Sequence, residues 1–130
     1  MKRLRYLWAL PATLAGLLLA AIALLGGGRA RRIQGVLEVG GGALRHVVAR
    51  LPEGMRFGAI TLGHVIVGLD DAALERARCH EQVHVRQYER WGIFFFPAYL
   101  GSSLWQWLRG RDPYRDNCFE AEAFAREAPR

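Results

Sequence analysis

Residues 70–92 read DDAALERARCHEQVHVRQYERWG, and this stretch decides how the rest of the chain is understood. Asp70 and Asp71 stand where a helix N-cap belongs, and Gly92 stands where a helix stops. Stepping about 100° per residue, one side of that helix collects Ala73, Ala77, His80, Glu81, His84, Tyr88 and Trp91, with Leu74 at its edge. The other side collects Glu75, Arg78, Gln82, Arg86, Glu89 and Arg90. The helix is amphipathic, and two histidines and a glutamate lie on its apolar side. Ionisable groups on a buried stripe are costly unless something pairs them.

The pairing partner is suggested by the spacing. His80-Glu81-Gln82-Val83-His84 is an H-E-x-x-H pattern. His80 and His84 are one helical turn apart, so both imidazoles project from one face and can share a tetrahedral metal ion. Glu81 is rotated by about 100° from His80 and can address water beside the metal instead of the metal itself. A zinc ion held there would activate water, with Glu81 as general base. The competing reading makes the histidines satisfied core residues and puts Glu81 in a buried ion pair.

A third ligand has to come from elsewhere. Residues 117–124, NCFEAEAF, open a predicted helix, and Glu120 and Glu122 are the candidates. They point to different faces, so only one can serve. Asn117 with Glu120 also fits a capping box, the purely structural alternative. Cys79 and Cys118 flank these elements and are read either as a disulfide or as free thiols; Cys79 points away from the histidine face and is not a ligand.

H-E-x-x-H followed by a helix bearing a ligating Glu resembles the gluzincin branch of zinc metallopeptidases. Glu120-x-x-Ala123 is similar to the E-x-x-A-D element of membrane-bound gluzincins of the CAAX-prenyl-protease type. The resemblance covers roughly residues 59–124, and the chain's size is similar to that of single-domain minimal gluzincins. It implies His80, His84 and Glu120 as zinc ligands, Glu81 as general base, and peptide or protein as substrate. It also implies that the strand-like run 59–67 is a cleft edge that pairs with extended substrate. Phe124 departs from the pattern, standing where the element carries the Asp that orients a ligand histidine. Asp70, Asp71, Asp112, Asp116 or Glu122 are the available substitutes, and His64 and Tyr114 are candidates by type for oxyanion stabilisation.

The predicted fold class is α+β: an N-terminal transmembrane helix, then a small zincin-like core with a short sheet, the metal-binding helix and a C-terminal ligand helix. Residues 33–39 and 59–67 are the strand candidates, and 43–50 fits either a strand or a short helix. From Tyr6 to Gly28 there are 23 residues without a charge, enough to span a hydrocarbon core of about 20 helical residues. Residues 1–28 are therefore read as a membrane anchor or signal peptide, and 29–130 as the zincin-like domain, with Gly26–Arg32 as a hinge between them. Three bases stand on each side of the apolar run, and the free amine tips it toward N-inside, placing the domain on the extracytoplasmic side (secreted if the signal is cleaved). A second apolar run, 93–108, is too short to favour spanning and is read as a buried or interfacial helix.

Charge excludes one class of partner. The net charge is +6, yet residues 1–32 carry six bases and no acids, while the other 98 residues carry 12 of each. The excess flanks the apolar run, and no basic face is left for nucleic acid.

Overall fold

The computed structural model describes residues 2–53 and 57–127. Helix α1 (Lys2–Trp8) and helix α2 (Leu10–Leu25) are followed by strands β1 (Gly28–Ile33) and β2 (Val36–Gly41) and the short helix α3 (Leu44–Ala49). Strands β3 (Ala59–Leu62) and β4 (Val65–Gly68) precede the long helix α4 (Asp71–Trp91). A 3₁₀ turn (Gly92–Phe94), helix α5 (Phe95–Leu108) and helix α6 (Cys118–Glu127) complete the described chain.

The four strands form one mixed sheet in the order β1-β2-β4-β3. β2 and β4 run parallel; the outer pairs are antiparallel hairpins. Side-chain alternation on the central strands sorts the molecule into three layers. Val39, Val65 and Val67 face Ala20 and Ala23 of α2 and Leu44 and Val48 of α3. Val36 and Ile66 face Leu74 and Val85 of α4 on the other side. A third, aromatic cluster of Tyr88, Phe95 and Phe119 with Ala9 and Ala12 ties the C-terminal half of α4 to α5, α6 and the α1–α2 junction.

The expected N-terminal transmembrane helix is not supported. Among the described residues, no helix is long and apolar enough to cross a membrane. The charge-free run breaks at Ala9 into two helices, and α2 has 16 residues, a rise of about 24 Å against a hydrocarbon core of about 30 Å. α2 also turns a face of small residues, Ala12, Gly16, Ala20 and Ala23, onto its own protein. A Cβ on Gly16 would lie 2.8 Å from both the Leu62 carbonyl oxygen and the Val65 Cβ. The single-pass anchor, and the localisation built on it, are corrected accordingly. The opposite face of α2, with Leu14, Leu18, Ile22 and Leu25, is exposed, as are Leu100, Leu104, Trp105, Trp107 and Leu108 of α5.

This packing makes a prediction. Gly16→Val is expected to destabilise the fold by about 2–3 kcal/mol through overpacking, despite the better helix propensity of any residue over Gly. Gly101→Ala on α5, where an added Cβ meets nothing within 4 Å, should instead be neutral or stabilising by up to about 1 kcal/mol. Denaturant unfolding compares the two directly; equal, small effects would mean that α2 does not press on the sheet.

Two turns lie inside runs expected to be continuous strand or hinge. Gln34 and Gly35 both take positive φ (54° and 78°) and reverse the chain between Ile33 and Val36. The presumed hinge Arg29–Arg32 is therefore part of strand β1. Gly63 and His64 likewise divide 59–67 into the β3–β4 hairpin, with Gly63 at φ 64°. The undecided segment 43–50 is helical. Around α4 the expected signals are in place: the Asp70 carboxylate accepts from Ala73 N–H, and Gly92 ends the helix at φ 57°.

Candidate metal centre

α4 passes beneath the sheet and against α6, and residues 80–85 are buried all round. Gln82, placed by periodicity on the solvent side, is buried with them. His80 and His84 project toward α6, which presents Glu120. The His80 and His84 Nε2 atoms are 3.3 Å apart, and the Glu120 carboxylate oxygen Oε1 lies 2.8 and 2.9 Å from them. All three residues are buried, and one ligand atom of each falls within a 4.8 Å group that could hold a metal ion.

The donor set fits a metal. Two ligands at about 2.0–2.1 Å in a tetrahedron sit about 3.3–3.4 Å apart, which matches the Nε2 separation. The Nε2–oxygen distances are shorter because hydrogen bonds close them. Burial alone would disfavour charge on the histidines, yet the Glu120 carboxylate, helped by the charge of Glu81, outweighs it and raises both pKa values above the ordinary imidazole value. Burial likewise pushes Glu120 up, but the hydrogen bonds from His80 and His84 bring it down to about 2. The carboxylate is thus ionised across the physiological range.

Of the two candidate carboxylates, Glu120 joins the histidines, and its side chain does not turn back to cap α6. Asn117 Oδ1 takes the cap, accepting from Phe119 N–H, and Ser102 Oγ accepts from Cys118 N–H. Glu122 instead accepts a hydrogen bond from Gln87 Nε2 at 2.8 Å. Gln87 is the partner that the motif reading missed. Its Oε1 lies 2.8 Å from His84 Nδ1, and its Nε2 also donates to the Phe119 carbonyl. A buried carboxamide, backed by Glu122, therefore stands where an orienting carboxylate was expected. It fixes His84 with Nε2 turned to the group and ties α4 to α6. Asp70 caps α4, and Asp112 and Asp116 organise the loop before α6.

Glu81 lines the same cavity, on its β3 side. Its Oε2 accepts a 2.5 Å hydrogen bond from the Thr61 hydroxyl. Burial raises its pKa above the usual carboxylate range, more than Thr61 and the histidines lower it. Tyr99, on α5, donates its hydroxyl to Glu120 Oε2 at 2.5 Å. Of the two oxyanion candidates, Tyr114 lines the cavity in front of the group, whereas His64 does not. His64 stacks on Tyr6 and pairs with Glu89 at 2.9 Å. Cys79 and Cys118 are free and exposed, so no disulfide links the two helices.

The cavity above the group is about 730 Å³, bounded by β3 on one side and by Phe95, Phe96 and Tyr99 of α5 on the other. β3 is one of the two edge strands of the sheet, β1 being the other.

No known family, curated protein or solved structure matches this chain.

What the group can do must be read from its own geometry. Two imidazole nitrogens and one carboxylate oxygen, beside a cavity, are a donor set that could hold a metal ion and leave room for a further ligand. Removing the carboxamide tests its role. Gln87→Leu is expected to weaken metal binding about 10- to 100-fold, with the group itself intact, read by competition against a chromophoric chelator. Unchanged affinity would mean that helix packing alone orients His84.

Proposed function

We propose that this chain is a zinc-dependent peptidase of the gluzincin type, acting on peptide or protein. The reading rests on one observation: a buried His80–His84–Glu120 group lies on the floor of a cavity beside an unpaired sheet edge, with a separate buried carboxylate next to it. Zinc is the metal that best suits a His₂–carboxylate set with an open position, and when bound it would supply Lewis acidity toward a carbonyl and acidify water.

The residues of the chain divide the remaining work. Glu81, outside the group and with a raised pKa, is suited to take a proton at one carboxylate oxygen while the Thr61 hydroxyl holds the other. It can then return that proton to a leaving amine. Tyr99 holds Glu120 in place, and Gln87 holds His84. β3 offers main-chain groups at the cavity rim for an extended substrate.

The competing reading is a non-catalytic polar core, favoured by the hydrogen bonds that already satisfy His84 and Glu120. The deciding experiment is hydrolysis of a quenched fluorescent peptide library by the zinc-loaded chain. Activity lost on chelation and restored by zinc supports the peptidase. Full zinc loading with no hydrolysis of any library member would leave the structural reading.

A further inference from the structure

The sheet has a second edge, β1, on the far side from the cavity. Gly28–Ile33 reads GRARRI, and Arg29, Ala30, Arg31 and Arg32 are all exposed. The ion pairs among the described residues involve none of these three arginines. No Asp or Glu precedes Glu38 in the chain. Glu38, the cross-strand partner of Arg31, is buried and gives its two carboxylate oxygens to Arg78 of α4 at 2.9 and 3.0 Å. It is therefore committed to the contact between sheet and helix. The Tyr6 hydroxyl donates to the Gly35 carbonyl at 2.6 Å, which sets α1, with exposed Arg3 and Arg5, against the turn that ends β1.

The backbone of this edge also has groups to offer. Ile33 and Val36 close a two-residue turn, and such a closing pair is hydrogen-bonded. Bonded pairs alternate along an antiparallel ladder, so Arg31 and Arg29 turn their main-chain groups to β2, while Arg32 and Ala30 turn theirs outward. An added strand would meet two donors and two acceptors there. A second copy of β1 is the wrong occupant, because it would crowd arginine against arginine, and like charges across a ladder destabilise it. The arginines that guard the edge against its own copies complement an acidic strand. Arg29 and Arg31 share the α4 face with Glu38, whereas Ala30 and Arg32 share the α2 face with Val39. Opposite Arg32, Arg31, Ala30 and Arg29, an antiparallel segment would best carry acid, acid, a small apolar residue and acid.

We infer that β1 is a docking edge for an extended acidic segment of a protein partner, which joins the sheet as a further strand and leaves the cavity beside β3 free. The inference goes beyond the peptidase reading and needs neither metal nor turnover. The peptide Ac-Thr-Glu-Glu-Val-Glu-Thr-amide is titrated calorimetrically into the full chain. Its Gln counterpart is run beside it, as is a form N-methylated at the first Glu and at Val, the residues that would face Arg32 and Ala30. The acidic peptide should bind at least tenfold tighter than either. Its affinity should fall at least fivefold between about 0.01 and 0.15 M salt, as screening sets in. The triple variant Arg29→Glu, Arg31→Glu, Arg32→Glu changes exposed positions only, so it should fold, lose the acidic peptide and gain the Lys counterpart. Equal binding of the N-methylated form would mean attraction by charge without strand pairing. Tighter binding of an oligothymidylate, lost with the same arginines, would make the patch a general polyanion site. Either result, no binding of the acidic peptide, or binding untouched by the charge reversal would overturn the inference.

Discussion

His84→Ala is expected to abolish stoichiometric zinc binding, weakening affinity by well over 100-fold, the upper range for losing a mere supporting contact. The wild-type chain should carry about one zinc, with thermal stability rising as zinc is added. At a zinc concentration 100 times Kd, that gain is about 2.7 kcal/mol. In the variant the zinc-dependent gain should vanish. Its metal-free form should also be less stable, because Gln87 and Glu120 each lose a buried partner, at about 1–3 kcal/mol per unsatisfied group. Glu120→Gln separates the two effects: it keeps a hydrogen-bonding group of the same shape and removes the ligand charge, so zinc is lost with a smaller change in the metal-free chain. Glu122→Gln should keep zinc, since Glu122 touches the group only through Gln87. Cys79→Ala, at an exposed thiol, is the control for nonspecific loss. Elemental analysis of dialysed protein checks all four; a His84→Ala chain that retains wild-type zinc would remove the metal centre.

How much of this was readable from residues alone differs by element. α4 was legible because three local signals agree: a capping Asp70, a 3.6-residue apolar period and a terminating Gly92. His80 and His84 were placed on one face by geometry that no tertiary contact alters. The hairpins were not legible, because β1 reads GRARRI with Ile33 as its single β-branched residue, Ala59–Val67 carries β-branched residues on both sides of its reversal, and the positive-φ pair Gln34-Gly35 is weak as a turn signal. The N-terminal run was misread for a different reason. Apolar content measures escape from water and says nothing about whether lipid or a sheet receives it. The signal that distinguishes them was present as the small-residue face Ala12, Gly16, Ala20 and Ala23, at spacings that put them on one stripe. Gln87 was within reach too, three residues beyond His84 and hence beside it on the helix. Thr61 and Tyr99 were not, since their partners Glu81 and Glu120 lie 20 and 21 residues away, a separation that only the folded chain closes.

Glu81→Gln is expected to keep zinc and lose turnover, with kcat falling about 10²- to 10⁴-fold, the usual contribution of a positioned general base. The substitution changes little in shape, and the Thr61 hydroxyl can donate to the new carboxamide oxygen as it does to Oε2. Stability should move the opposite way from activity. A carboxyl whose pKa is raised in the folded state binds its proton more tightly there than in the unfolded chain. Above the ordinary carboxylate pKa the ionised form is therefore a cost to folding, and the neutral carboxamide removes it. The gain should appear at pH 7, shrink as the pH falls through the raised folded-state pKa, and be gone below the ordinary carboxylate pKa, where the wild-type residue is protonated in both folded and unfolded chains. A purely structural Glu81, held only as the partner of Thr61, would give the pH-dependent stabilisation without the loss of turnover. The two readouts, kcat on the best library peptide and denaturation midpoints between pH 4 and 8, are independent. Undiminished hydrolysis by the zinc-loaded variant would take the general-base role from Glu81. A variant less stable than wild type at pH 7 would mean that the buried carboxylate is better paired than its position beside Thr61 indicates.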